Sequence, residues 1–194
     1  MDRNAIVFVV SAPSGGGKGT ILGKVFKGDD LLRHAVSATT RSPRADEIDG
    51  RHYHFLSEEQ FRERIEDDQF VEWANVHGAR YGTLKVEIER ILASGIDVVL
   101  ELDIQGMRSI TRERDDVVTI FILPPSMEVL EERLRNRGGL DEEQLRLRLN
   151  NAKEEIAAKK EYDHVILNDA LAEAVSAFEA VLNQARESAK KPTK

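Results

Sequence analysis

Short apolar runs rich in Val and Ile punctuate the chain at residues 5–11, 97–102, 117–123 and 164–167. Each is too short for a typical helix and is bounded by polar or turn residues. The pattern therefore predicts strands buried on both faces. Between them apolar positions recur at three- and four-residue spacing, which predicts helices over 18–26, 84–93, 126–137, 141–160 and 170–189. Ser126 and Asp141 stand where N-caps belong, just ahead of Met127-Glu128-Val129-Leu130 and Glu142-Glu143-Gln144-Leu145. Alternating strands and helices predict an α/β fold, a parallel sheet covered on both faces through right-handed crossovers.

Residues 34–83 break the rhythm. They are richer in Thr, Tyr, His and Arg, with turn signals at Ser42-Pro43 and Asp49-Gly50. Ser57 followed by Gln60 has capping-box spacing, predicting a helix over 57–66. The segment reads as an inserted α+β lobe. The tail from 189 to 194 has nothing to bury and is expected to fray.

A chain of 194 residues suits one compact domain with inserted lobes. The absence of cysteine excludes disulfides and thiolate metal sites and fits a reducing compartment. No stretch approaches the roughly 20 apolar residues of a membrane span. The start, Met1-Asp2-Arg3-Asn4, is charged, and the apolar run after it is too short for a signal peptide. The expectation is a cytoplasmic protein with no membrane partner. A net charge of −7 argues against a general nucleic-acid surface. Arginines nevertheless cluster at Arg41, Arg44 and Arg51, and again from Arg133 to Arg148, as focused anion sites would require. The second group sits among glutamates, so a solvated, salt-bridged face competes with that reading.

The densest chemistry lies at Ala12-Pro13-Ser14-Gly15-Gly16-Gly17-Lys18-Gly19-Thr20, after the first strand and at the start of the first helix. Glycines let several N–H groups turn toward one polyanion, and Lys18 adds a cation for nucleotide β/γ-phosphates. Two positions depart from the pattern Gly-x-x-x-x-Gly-Lys-Ser/Thr. Ala12 replaces the first glycine, and Gly19 replaces the hydroxyl that usually binds Mg²⁺, with Thr20 one residue late.

Further motifs carry a resemblance: Ser37-Ala38-Thr39-Thr40-Arg41-Ser42-Pro43-Arg44, Asp49-Gly50-Arg51-His52-Tyr53-His54-Phe55, Glu72-Trp73-Ala74 and His77-Gly78-Ala79-Arg80-Tyr81-Gly82-Thr83. With Glu101-Leu102-Asp103-Ile104-Gln105-Gly106, Arg133-Leu134-Arg135-Asn136-Arg137-Gly138, Arg146-Leu147-Arg148-Leu149 and Ile166-Leu167-Asn168-Asp169, they resemble the guanylate kinase family from the first strand to the last helix. The resemblance implies transfer of the ATP γ-phosphoryl group to GMP (with dGMP a further candidate acceptor) in the presence of Mg²⁺. It implies a P-loop NTPase-type core from residues 1–33, 85–123 and 156–194, a GMP-binding lobe at 34–84 and a helical lid at about 124–155.

Family positions assign ATP to residues 12–20 and Asn168, and catalysis to Lys18, Arg133, Arg137 and Arg148. Arg135 and Arg146 read instead as solvent-facing helix charges. Arg41, Arg44, Tyr53 and Tyr81 would hold the GMP phosphate, the arginines as planar forks and the tyrosines as directional donors. On residue type alone the tyrosines read as half-buried packing groups. Glu72 would accept from guanine N1–H and N2–H₂, with Ser37, Thr83 and Asp103 completing the base contacts. The neighbours Phe70, Val71, Trp73 and Ala74 are expected to be buried, which argues against a surface role for Glu72. No direct protein ligand for Mg²⁺ is assigned; Thr20 or Glu101 would act indirectly. Two competing readings are a non-catalytic phosphopeptide-binding module of the same fold, which would typically lack the working loop and lid arginines, and a kinase for another nucleoside monophosphate, which Glu72 with Thr83 disfavours.

Overall fold

The computed structural model describes residues 3–76 and 78–190; His77 and the end of the expected frayed tail lie outside them. The alternating pattern becomes a parallel sheet of β2 (Leu32–His34), β7 (Asp97–Glu101), β1 (Val7–Ser11), β8 (Val117–Leu123) and β9 (His164–Leu167), in that order. Successive strand residues point to opposite faces, so the core divides in two. Phe8, Val10 and Val99 pack with α1 (Lys18–Gly28) and α7 (Leu171–Ser188), through Ile21, Val25, Phe178 and Leu182. Val7, Val9, Val98 and Leu100 pack with α3 (Lys85–Ala93) and α4 (Ile104–Glu113), through Ile88, Ile91, Met107 and Ile110.

Two core elements escaped the sequence reading. β2 is a three-residue edge strand whose Arg33 and His34 are exposed, leaving no apolar run to detect. α4 has a narrow buried stripe, Gly106, Met107 and Ile110, within an otherwise polar stretch. A correction applies to β9, expected to be buried on both faces. It lies at the other sheet edge, with Val165 45% and Leu167 52% exposed. The helix expected over 141–160 is α6 (Glu142–Ala157), followed by a 3-10 turn at Ala158–Glu161.

The inserted segment forms a second, mixed sheet in the order β4 (His54–Phe55), β3 (Ala38–Thr39), β6 (Ala79–Leu84), β5 (Phe70–Val76). Its small core stacks Phe61 of α2 (Glu58–Glu66) on Phe70 at 4.3 Å, flanked by Ala38 and Leu84. The capping box is formed as expected: Ser57 Oγ accepts from Gln60 N, and Gln60 Oε1 accepts from Ser57 N. Helix α5 (Met127–Arg137) and α6 share a core of Leu130, Leu134, Leu145 and Ala152. No helix among the described residues is long and apolar enough to cross a membrane.

At the opposite end of the sheet from the strand carboxyl ends, Asp97 is fully buried and takes four donors. Arg3 Nη1 and Nη2 donate at 2.6 and 2.9 Å, Ile6 N at 2.9 Å and Arg186 Nε at 2.7 Å; Arg186 continues to Asp29 at 2.6 Å. This network ties the N-terminal segment, α1, β7 and α7 together. Removing one member strands buried cations. Asp97→Ala is expected to lower unfolding free energy by about 3–5 kcal/mol in urea titration, while the fraction still folded keeps its nucleotide affinity.

Candidate active site

A parallel sheet gathers the carboxyl ends of its strands along one rim, the usual position of ligands in such folds. Here β1 leads into the glycine loop, β7 ends at Glu101, and β9 runs into Asn168. The hairpin of α5 and α6 follows β8 on the same rim. Around the loop lies a cleft of about 860 Å³ bordered by Lys18, Arg133, Arg137, Glu155 and Asn168.

The loop owes its shape to contacts from distant segments. Asn168 Nδ2 donates to the Gly16 carbonyl at 2.8 Å, and Arg133 Nη2 donates to the Asn168 carbonyl at 3.1 Å. Gly17 has φ +90°, and a Cβ there would lie 2.1 Å from Asn168 Nδ2. Only glycine satisfies both the backbone angle and the close approach. Lys18, the first residue of α1, has its Nζ 3.3 Å from Glu101 Oε2. Arg148 reaches across from α6 to donate to Ser14 Oγ at 3.0 Å. The Nη1 of Arg133 is buried without a hydrogen-bond partner among the described residues, and borders Gly17. Lys18, Arg133 and Arg148 thus meet the loop, and Arg137 borders the cleft around it. Thr20 is exposed on α1, Gly19 has no atoms within 4 Å of a built Cβ, and Ala12 and Pro13 shape the turn through the Pro13 carbonyl, which accepts from Gly16 N at 2.8 Å.

Glu155 was not among the expected residues. It faces Lys18 and Asp103 from α6, and burial raises its carboxyl above the usual range; Asp103 adds to the rise and Lys18 opposes it. Its signal was available, since it lies two helical turns after Arg148 and so on the same face.

A second cleft, of about 570 Å³, opens between β5 and α4 and is bordered by Glu72 and Asp103. Thr83 Oγ1 donates to Glu72 Oε1 at 2.8 Å. Burial pushes the Glu72 carboxyl up, Thr83 opposes this, and the Asp103 carboxylate adds to it. Asp103 caps α4 by accepting from Gly106 N at 2.8 Å. A Cβ on Gly106 would stand 3.1 Å from Glu72 Cγ, so the small residue makes room for the carboxylate. Of the neighbours expected to be buried, Phe70 and Val71 are, each 6% exposed. Trp73, at 43%, and Ala74 are not. β5 is an edge strand with a register shift between Phe70 and Glu72, and past Val71 it leaves the core. The Arg80 guanidinium lies over the Trp73 ring at 6.0 Å.

The remaining lobe residues form a separate group. Arg41 lies 5.5 Å from the Tyr53 ring centroid, and the Tyr53 and Tyr81 rings meet edge-on at 5.9 Å. Glu47, absent from the expected set, accepts from Arg41 Nη2 and from Arg44 N, each at 2.8 Å. The Arg41 hydrogen bond, with help from Arg44 N, holds its carboxyl down at about 2. No ion pair engages the exposed Arg44 guanidinium among the described residues. Ser37 is half-buried ahead of β3, its carbonyl accepting from His54 N at 2.9 Å. On α5, Arg135 pairs with Glu131 and Glu142, as a solvent-facing helix charge should.

The contrast between Gly17 and Gly19 gives a direct test. Gly19→Ser is expected to retain ATP affinity within about 3-fold, because its helical position has open space. Gly17→Ala is expected to weaken ATP binding by at least about 10-fold through backbone strain and the clash with Asn168. Calorimetric titration of both variants, alongside thermal melts, checks this.

The guanylate kinase family model matches residues 4–185. The guanylate kinase of Carboxydothermus hydrogenoformans is 48% identical over 180 residues, covering 93% of this chain and 88% of that protein. That of Clostridium perfringens is 44% identical over 181 residues, covering 93% and 84%. The crystal structure of guanylate kinase from Anaplasma phagocytophilum superposes with a TM-score of 0.70 at 30% identity, covering 95% of this chain and 87% of that one. With a glycine loop, convergent arginines and a carboxylate-lined second cleft in one framework, the chain belongs to the guanylate kinase family.

Proposed function

We propose that this chain's guanylate kinase reaction, transfer of the ATP γ-phosphoryl group to GMP to give ADP and GDP, runs between the two clefts, with residues 34–84 as the GMP lobe and about 124–155 as the lid over ATP. The carrying observation is that Asp103 borders the cleft of Glu72 and also the space beside Lys18 and Glu101. A base held at Glu72 would therefore direct its phosphate toward the glycine loop.

In this reading the N–H groups of residues 12–20 and Lys18 cradle the ATP phosphates, and Asn168 fixes the loop around them. Arg133 offers its unpartnered N–H to the same anion. Arg41, Arg44, Tyr53 and Tyr81 take the GMP phosphate. Glu72 accepts from guanine N1–H and N2–H₂, with Ser37, Thr83 and Asp103 completing recognition. The acceptor is a phosphate oxygen already ionised near neutral pH, so no general base is needed. Lys18, Arg133, Arg137 and Arg148 lower the barrier by offsetting charge on the transferring group.

Among the described residues no cluster of three His, Cys, Asp or Glu side chains could hold a metal ion. The donor set still fits Mg²⁺ that retains its waters, with Glu101 accepting from a bound water, since Mg²⁺ dehydrates reluctantly and is held largely by substrate phosphates. When bound it would supply positive charge that offsets the charge on the ATP phosphates. An anionic nucleotide substrate and the absence of cysteine support a cytoplasmic setting.

Lys18→Ala and Arg148→Ala are each expected to lower kcat by about 10²- to 10⁴-fold with little change in melting temperature, in a coupled assay run with GMP, dGMP, AMP, CMP and UMP. Turnover near wild type in either variant would remove that residue from the mechanism.

Glu72→Gln is expected to lower kcat/KM for GMP by about 10²- to 10⁴-fold and to narrow the GMP/AMP ratio, because the amide turns a donor toward a donor. Stability should move the other way. A carboxyl raised in the folded state loses stability as pH rises through its folded value, and the amide lacks that loss. The variant's melting temperature should therefore gain on wild type between acidic and neutral pH. An unchanged GMP/AMP ratio would shift base recognition to Asp103, Ser37 and Thr83.

A further inference from the structure

A chain of three side chains crosses the α1-facing side of the main sheet, and its outer member, His34, has no role in the phosphate or base cleft. β2 pairs with β7 in parallel, His34 opposite Val99. Glu101 lies two residues beyond Val99, so its side chain emerges on the same face and diagonal to His34. His34 Nε2 sits 3.0 Å from Glu101 Oε1, while the other carboxylate oxygen faces Lys18 Nζ at 3.3 Å. The imidazole is itself braced: Phe26 of α1 meets it edge-on at a centroid distance of 6.0 Å. Helix α1 thus supplies the loop lysine at its first residue and the brace for His34 two turns later.

We propose that His34 is a positioning residue for phosphoryl transfer, holding Glu101 so that this carboxylate presets Lys18 at the mouth of the phosphate cleft. The inference rests on the reading of Lys18 as a phosphate-binding cation. Lys18 carries its charge on a flexible four-carbon stem, which samples many rotamers unless a partner selects one. Glu101 is that partner, yet it sits at the exposed end of β7 with its side chain one-third in solvent and needs restraint of its own. His34 supplies it by occupying one oxygen and leaving the second to Lys18. The contact with His34, together with Lys18, keeps Glu101 ionised by holding its carboxyl below the usual range against the opposing effect of burial.

Phosphate entry changes the balance of these contacts. Lys18 exchanges Glu101 for phosphate oxygens, leaving a carboxylate close to a polyanion. With His34 in place that carboxylate keeps a hydrogen-bond donor and stays directed along the sheet edge. Without it, the carboxylate is free to turn into the cleft, where Glu155 and Asp103 already concentrate negative charge. Loss of His34 should therefore register on ATP and leave GMP nearly untouched.

A double-mutant cycle tests this. His34→Ala is expected to lower kcat/KM for ATP by about 10-fold, the scale seen when a group that orients a charged ligand is removed, with KM for GMP within about 2-fold of wild type. His34→Gln, whose amide N–H₂ reaches a similar point, should recover activity to within about 3-fold of wild type. The pair His34→Ala/Glu101→Gln should be no worse than Glu101→Gln alone, because both act through one contact. Calorimetric affinity for a non-hydrolysable ATP analogue should follow the same order, and thermal melts of the singles should match wild type. Losses that multiply in the double variant, wild-type ATP kinetics in His34→Ala, or equal losses for ATP and GMP would each overturn the proposal. Lys18→Ala separates the two readings. If it is inactive while the cycle is additive, the phosphate loop stands and His34 does not act through it; if it is active, the loop reading itself fails.

Discussion

The shape of the glycine loop depends on one hydrogen bond, from the Asn168 amide to the Gly16 carbonyl at 2.8 Å. A loop that turns its N–H groups toward a polyanion must send its carbonyls elsewhere. A buried carbonyl without a donor costs about 1–3 kcal/mol. Asn168 supplies the donor, and is itself anchored because its N–H donates to the Leu123 carbonyl at 2.8 Å, extending the β8–β9 pairing by one residue. Its carbonyl then accepts from Arg133. Loop, sheet rim and α5 are thereby locked through a single residue, and the missing Cβ at Gly17 leaves its side chain room to sit there.

Around this junction charge is partitioned by cleft. Beside the glycine loop and in the Arg41 group, two cations are held by carboxylates that an anion could displace, Lys18 by Glu101 and Arg41 by Glu47. In the second cleft the carboxylates Glu72 and Asp103 take the cations' place beside the opening. Glu72 and Asp103 face each other's field with a hydroxyl, Thr83, as the direct partner of Glu72. Burial of the Glu72 carboxylate, with no ion pair among the described residues, opposes folding. A chain with net charge −7 can therefore recognise polyanions, because the relevant field is set within a few ångströms of the loop.

What was legible along the chain was whatever is encoded locally. The glycine loop lies between a β-branched run and a helix, and both flanks formed with nearly the expected bounds. The capping box at Ser57/Gln60 depends on residues three apart and appeared where the spacing put it, and Asp141 caps its helix as expected, with Gln144 completing a second box. Elements defined by neighbours were harder to read. β2 is a strand because β7 offers its edge, and Trp73 is exposed because β5 is the edge strand of its sheet, uncovered there among the described residues.

The sequence by itself determined the alternation of strands and helices, the phosphate loop and the family to which the motifs point, since periodicity and short motifs survive without knowledge of the fold. Only the tertiary structure decided which side chains meet. Asn168 braces Gly16 across 152 residues of chain, Glu155 comes to face Lys18, and His34 closes on Glu101. The reason is geometric. A parallel sheet brings together strand ends that are remote in sequence, and its strand order, set by packing two apolar faces under helices, is written in no local spacing.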